Sequence, residues 1–200
     1  QHYYRPFNAL LAGWAGFFTW NLLALWWLGK VNAGAMLLMV ALNSFLYAII
    51  FWLFHLAHRR TAGNFARAFF FFLWLGFEYF HAHWEASNPW LQLGHALGKH
   101  IRLVQWYDAT GPLGGTAWTL MLNIAGFGLL DYWWRMRTAK GSIGQLVVWL
   151  AVLLVPLVIS HRRYTHFAAK DYRTVQTAVV QPGTDPYREK FDTAQRKTQL

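Results

Sequence analysis

Glu78 is the residue whose type and position most suggest chemistry. It interrupts the apolar run that opens with AFFFFLWLGF after Arg67. A membrane span counted from Arg67 places it about 11 residues in, roughly 16 Å along the helix axis and close to mid-bilayer. An ionisable group at that depth is costly to desolvate, so it points to function. The alternative is a structural carboxyl, protonated or bonded to a neighbouring helix. His81 and Glu85 fall on the same helical face at i+3 and i+7. The nine histidines raise a second chemistry, a metal or haem site of the kind found in desaturase-type di-iron membrane enzymes. His55 and His58 are spaced i, i+3, whereas His81, His83, His95 and His100 lie in later segments. The topology read below puts the two groups at opposite ends of the bilayer, so no metal site and no cofactor are expected. The chain contains no cysteine, which excludes disulfides, thiolate metal ligands and a Cys nucleophile within these residues.

A third set of residues reads as a lipid contact. Pro89 turns the chain after the run containing Glu78, and Trp90 follows it. The segment continues through Leu91, Gln92 and Leu93 to Gly94. Further on, Gln105-Trp106-Tyr107 leads through Asp108, Ala109 and Thr110 to Gly111, Gly114 and Gly115. Glycine at these points permits a tight, closely packed return into the bilayer. Such a loop, folded into one leaflet, suits contact with a lipid or an acyl chain. A plain interhelical connection is the alternative.

The elements that must position these residues are membrane helices. Apolar types make up 56% of the chain and charged types 13%, with 13 Trp and 16 Phe; soluble domains carry about 25% charged residues. The net charge of +10 is gathered in short clusters between uncharged runs, a membrane-loop pattern and not a nucleic-acid face, so no nucleic-acid partner is expected. Runs long enough to cross a bilayer predict five spans, at about 7–28, 33–57, 67–84, 113–130 and 143–160. Arg59, Arg60 and Arg67 lie between spans two and three, and Arg135, Arg137 and Lys140 between spans four and five. The positive-inside rule makes those loops cytoplasmic. Residues 85–112 and everything after Ser160 then lie on the outer side. Arg162 and Arg163 are exceptions to the bias. Residues 161–200 change character: Thr174–Gln181 reads as a strand rich in β-branched residues. Asp185-Pro186 reads as a cap and first residue of a helix through YREKF. The expected organisation is a transmembrane domain over 1–160 and, over 161–200, a linker with the start of a soluble domain.

These motifs resemble apolipoprotein N-acyltransferase, particularly its Bacteroidetes-type members. In that family a helix carrying a Glu is followed at fixed spacing by Pro-Trp-Leu-x-x-Gly, as Glu78 is here by Pro89 to Gly94. QWYDATGPLGG is similar to the family's Gln-Trp-Tyr-x-x-Thr-Gly-x-x-Gly-Gly run. VVQPGTDPYREKF is similar to the opening strand and turn of its periplasmic nitrilase-like domain. Two positions depart: His81 stands where Arg is common, and Gly183 where Asn is usual.

The resemblance implies an all-α polytopic membrane bundle followed by the opening strand and helix of an α/β nitrilase-like domain, in a multi-pass protein of the bacterial inner membrane. It implies a chain that is a piece of a longer enzyme whose catalytic side is periplasmic. It also implies the reaction. A Glu-Lys-Cys triad takes an acyl chain from a phospholipid as a Cys thioester and passes it to the N-terminal amine of a diacylglyceryl apolipoprotein. Glu serves as base and Lys stabilises the oxyanion. That triad is expected downstream of Leu200, so no catalytic residue is assigned here. Glu78, His81, Pro89, Trp90, Gly94, Trp106, Gly111, Gly114 and Gly115 are the substrate and lipid-access candidates. A transporter or non-enzymatic membrane protein, with Glu78 as coupling residue, is the competing reading.

Overall fold

A computed structural model describes residues 5–85, 87–136, 142–168 and 176–179. Within the unit Gln1–Ala168 the regular secondary structure of the described residues is helical. They form α1 (Pro6–Leu25), α2 (Gly29–Arg60), α3 (Gly63–Ala82), α4 (Tyr107–Met136) and α5 (Ile143–Ala168). Short 3-10 turns cover Trp26–Leu28, Pro89–Leu91 and Leu93–Leu97.

Local sequence sets the ends of these helices. Pro6 opens α1, where its missing N–H costs nothing. Asn32 leaves the helical region at φ −156° and ψ 110°. Its Oδ1 accepts the Ala35 N–H at 2.9 Å, an N-cap bond three residues on. The chain therefore folds back at Asn32, and the contacts nest about it: Asn21 with Asn43, Phe17 with Tyr47, Gly13 with Phe51. The 55-residue apolar stretch Pro6–Arg60 is thus an antiparallel hairpin of two helices. In α4, Gly111 breaks the helix at φ 63° and ψ −173°, and Pro112 starts the long part, again at a first-turn position.

Among the described residues, three stretches are long and apolar enough to cross a membrane: Pro6–Arg60, Tyr107–Arg135 and Ile143–Phe167. The helix α3 is not among them, because Asn64, Arg67, Glu78 and His81 interrupt its 20 residues. The surface has the pattern of a membrane protein. Leu38, Leu42, Phe72, Phe127, Leu130, Val147 and Leu154 face outward, while Asn21, Asn43, Ser44, Glu78, His81, Thr116 and Ser160 are buried. Water would penalise so much exposed apolar area, and lipid does not. Tyr47, Ile50, Trp74 and Leu120 form the centre, wrapped by Phe17, Trp20, Phe70 and Phe77. The pair α4 and α5 is tied by indole N–H groups on the neighbour's backbone: Trp118 to the Val152 carbonyl at 2.6 Å, and Trp149 to that of Leu122 at 3.1 Å.

Helix boundaries differ from the predicted spans: α1 and α2 by a few residues at an end, α4 by starting at Tyr107 and continuing to Met136 instead of 113–130, and α3 and α5 in ways that move the candidate residues. The helix α3 begins at Gly63 and ends at Ala82, because backbone geometry at Ala62 and His83, not the charge of Arg67, sets its ends. Glu78 therefore sits in the last turns of α3 and not at mid-helix, and Glu85 lies past the helix end, exposed in a turn. At the other end, α5 continues eight residues beyond Ser160 to Ala168. Of the predicted strand 174–181, Gln176–Val179 are irregular and exposed; a strand needs a ladder partner. The remaining strand residues, the helix predicted from Asp185, and Arg137 and Lys140 lie outside the described residues.

Candidate functional site

Glu78 is 1% exposed, and each partner of its carboxylate is a donor. Oε1 accepts the Trp74 indole N–H at 2.9 Å and the Leu93 backbone N–H at 3.2 Å. Oε2 accepts the Thr116 hydroxyl at 2.6 Å. Thr116 in turn accepts the Gly94 N–H at 3.0 Å, and the Gln92 side chain donates to the Glu78 carbonyl at 3.2 Å. One carboxylate therefore joins α3, the turn after Pro89 and α4. Charge-assisted bonds of this kind are about twice as strong as neutral ones, which suits a loop that must be held without a large core of its own.

Glycine makes that joint possible. A Cβ on Gly94 would overlap the Pro112 carbonyl oxygen, and one on Gly115 would overlap the Tyr107 hydroxyl. Tyr107 uses this hydroxyl to donate to the Gly94 carbonyl at 2.9 Å. Gly111 holds a backbone conformation that is essentially restricted to glycine. The structure thus brings Glu78, Pro89, Gly94, Gly111, Gly114 and Gly115 to one end of the bundle. Trp106 lies half-buried beside them, its ring against Tyr107 and Trp118. Trp90 is 56% exposed, touching Trp27 at 5.7 Å between ring centroids.

His81 belongs to a different network. The Trp84 N–H donates to its Nδ1 at 2.8 Å, so in the neutral ring the proton is on Nε2, which donates to Asn43 Oδ1 at 2.9 Å. Asn43 donates to Asn21 at 2.6 Å, and Asn21 to the Phe17 carbonyl at 2.8 Å. This relay of donors runs across α3, α2 and α1. Although His81 is one turn from Glu78, no hydrogen bond joins them among the described residues. Of the other histidines, His83 and His95 bond the Tyr79 and Pro89 carbonyls. No group of three metal-ligating side chains occurs among the described residues.

Sequence reading passed over Thr116, Trp74, Asn43, Asn21 and Asn88. Trp74 was findable as the i−4 neighbour of Glu78, and Asn21 and Asn43 as polar residues inside apolar spans. Thr116 had no such signal, because its partner is 38 positions away. Asn88 is 6% exposed, and among the described residues neither its Nδ2 nor its Oδ1 has a partner. It lines a cleft of about 480 Å³ with His81, Trp84 and the apolar α2 residues Leu38, Leu42 and Leu46.

A family model described as the apolipoprotein N-acyltransferase N-terminal domain matches residues 3–125, a stretch that includes Glu78, Pro89 to Gly94 and Gly111 to Thr116. A curated relative, an apolipoprotein N-acyltransferase of Chlorobaculum tepidum, is 26% identical over 180 residues, covering 90% of this chain and 33% of the relative. The chain therefore spans about a third of that relative's length. No solved structure matches.

Proposed function

This chain belongs to the apolipoprotein N-acyltransferase family, and from that premise we propose that it supplies the membrane-embedded, lipid-access part of an N-acyltransferase. The observation that carries the proposal is the joint at Glu78. It fixes the turn after Pro89 against α4 and leaves Trp90 exposed, two residues from Asn88, which lines an apolar cleft of about 480 Å³. That volume is within the range of small-molecule sites, roughly 300–1,000 Å³. An apolar tail would lie against Leu38, Leu42 and Leu46. The ring of Trp90 is apolar while its N–H can donate to a glycerol or ester oxygen.

In this reading all five helices cross the inner membrane, and the end bearing Trp90 faces the periplasm. The donor is a phospholipid and the acceptor the amine of a diacylglyceryl apolipoprotein. A Cys thiolate would attack the ester carbonyl, releasing a lysophospholipid. The acceptor amine would then attack the thioester and release the thiol. The chain has no cysteine, so the thioester would form on residues other than these, in the expected nitrilase-like domain. For the transporter alternative, Glu78 would have to exchange protons or substrate, yet its oxygens are enclosed by three donors.

The test is Trp90→Ala in the complete acyltransferase. We expect kcat/KM for acyl transfer to fall about tenfold, or roughly 1.4 kcal/mol, with unchanged protein level and melting temperature. Unaltered acylation would leave the turn with a connecting role only.

A further inference from the structure

At the opposite end of the bundle two cavities adjoin. One, of about 360 Å³, is lined by Asn64, Arg67, Asp131, Tyr132, Arg135 and Gln145. The other, of about 400 Å³, is walled by Phe71, Phe72, Met121, Ile124 and Val152. Asn64 and Arg67 line both, so a polar chamber adjoins an apolar groove between α3, α4 and α5.

Arg67 is half-buried and makes no ion pair among the described residues. Its guanidinium lies 6.0 Å from the Phe127 ring centroid and against Gly128, where a Cβ would come within 3.6 Å of Nη1. Arg135 is held by Asp131 at 2.8 Å yet remains 72% exposed. Two guanidinium groups against one carboxylate leave the chamber positively charged. Its depth follows from its neighbours: Trp133 and Trp134 are exposed at 56% and 77%, as aromatic side chains are at a membrane–water interface. The chamber thus lies at head-group level, and the groove one to two turns deeper, at acyl-chain level.

We propose that these adjoining cavities bind one anionic glycerophospholipid, its phosphodiester on Arg67 and Arg135 and one acyl chain along Phe71, Phe72, Met121 and Ile124. Guanidinium forks match phosphate oxygens in a way that a zwitterionic head group only partly satisfies. Basic pockets between membrane helices hold acidic lipids by the same rule. Binding depends on charge and shape alone and stands without the acyl-transfer reading.

The experiment titrates the full chain in detergent with phosphatidylglycerol and, in parallel, phosphatidylcholine of identical chains, counting bound lipid by native mass spectrometry. Phosphatidylglycerol should bind about fivefold more tightly, the worth of one basic residue near an anionic lipid. Arg67→Gln should bring the two lipids close to parity. Ala125→Phe, which fills the groove and spares both arginines, should weaken phosphatidylglycerol binding, and glycerol 3-phosphate should fail to compete. Equal affinity for the two lipids in the unaltered chain overturns the proposal. So does effective competition by glycerol 3-phosphate, which would mark a simple anion site. Should Arg67→Gln not fold, the lipid comparison and Ala125→Phe decide between the outcomes.

Discussion

Glu78 shows how a single carboxylate organises a membrane fold. Trp74, Leu93 and Thr116 all donate to it, and removal of the acceptor strands two buried donors and a half-buried one. Each unmade bond costs about 1–3 kcal/mol. Glu78→Ala should therefore lower the melting temperature in detergent more than Glu78→Gln does. Gln keeps an acceptor for Trp74 and Leu93 but presents an N–H to Thr116, whose oxygen already accepts from Gly94. Thr116→Val, which leaves Oε2 without its donor and Gly94 N–H without its acceptor, should fall near Glu78→Gln at about 1.5–3 kcal/mol. A Gln variant as stable as the unaltered chain would show that the charge contributes nothing. The relay from Trp84 through His81 to Asn21 makes no such demand for charge, since a neutral imidazole serves every bond in it.

Two glycines in the returning segment separate steric from conformational causes. Gly94 has no room for a side chain against Pro112, whereas at Gly111 nothing lies within 4 Å of an added Cβ and only the backbone angle is unusual. Gly111→Ala should cost about 1–3 kcal/mol of backbone strain, and Gly111→Asn about as much, because Asn tolerates positive φ in the left-handed helical region and not at ψ −173°. Gly94→Ala must displace backbone, and asparagine would aggravate the overlap. Thermal unfolding of the four single variants checks this ordering. If asparagine is no worse than alanine at Gly94, the close contact there is not the constraint. The element level is also where the sequence was most legible. Uncharged runs marked α1, α2, α4 and α5 because lipid-facing segments cannot carry charge, and α3 was marked by an apolar run that Glu78 interrupts. Pro89 marked a turn because it cannot continue a helix, and Gly111 because few residues adopt its angles. The depth of Glu78 was misread because Arg67 was counted as the start of a helix that begins at Gly63. Its partners were hidden, because a tertiary hydrogen bond from Thr116 leaves no periodic trace.

At the scale of the whole molecule, the crossing of the bilayer by α3 and its direction are matters of packing and charge. Its own hydropathy is insufficient, yet its polar groups turn inward: Glu78 and His81 are buried and bonded to neighbouring helices, so lipid meets Phe65, Phe72, Tyr79 and Phe80 instead. A helix satisfied in this way can span despite its composition. Direction follows from charge, with Arg59, Arg60, Arg67 and Arg135 at one end. At the other, Arg162 and Arg163 count against the bias; Arg163 is ion-paired with Asp108, which offsets its charge, while Lys30, Lys99 and Arg102 are spread over two loops. We therefore expect Ser87→Cys to react with an impermeant maleimide added to intact spheroplasts, and Thr61→Cys to react only after the membrane is permeabilised. The two positions flank α3, so labelling from opposite sides would establish that it crosses. Labelling of both from outside would mean that it does not, and labelling of Thr61→Cys alone would invert the orientation. In that last case the exposed Trp90 would face the cytoplasm, and a periplasmic acyl transfer could not use it.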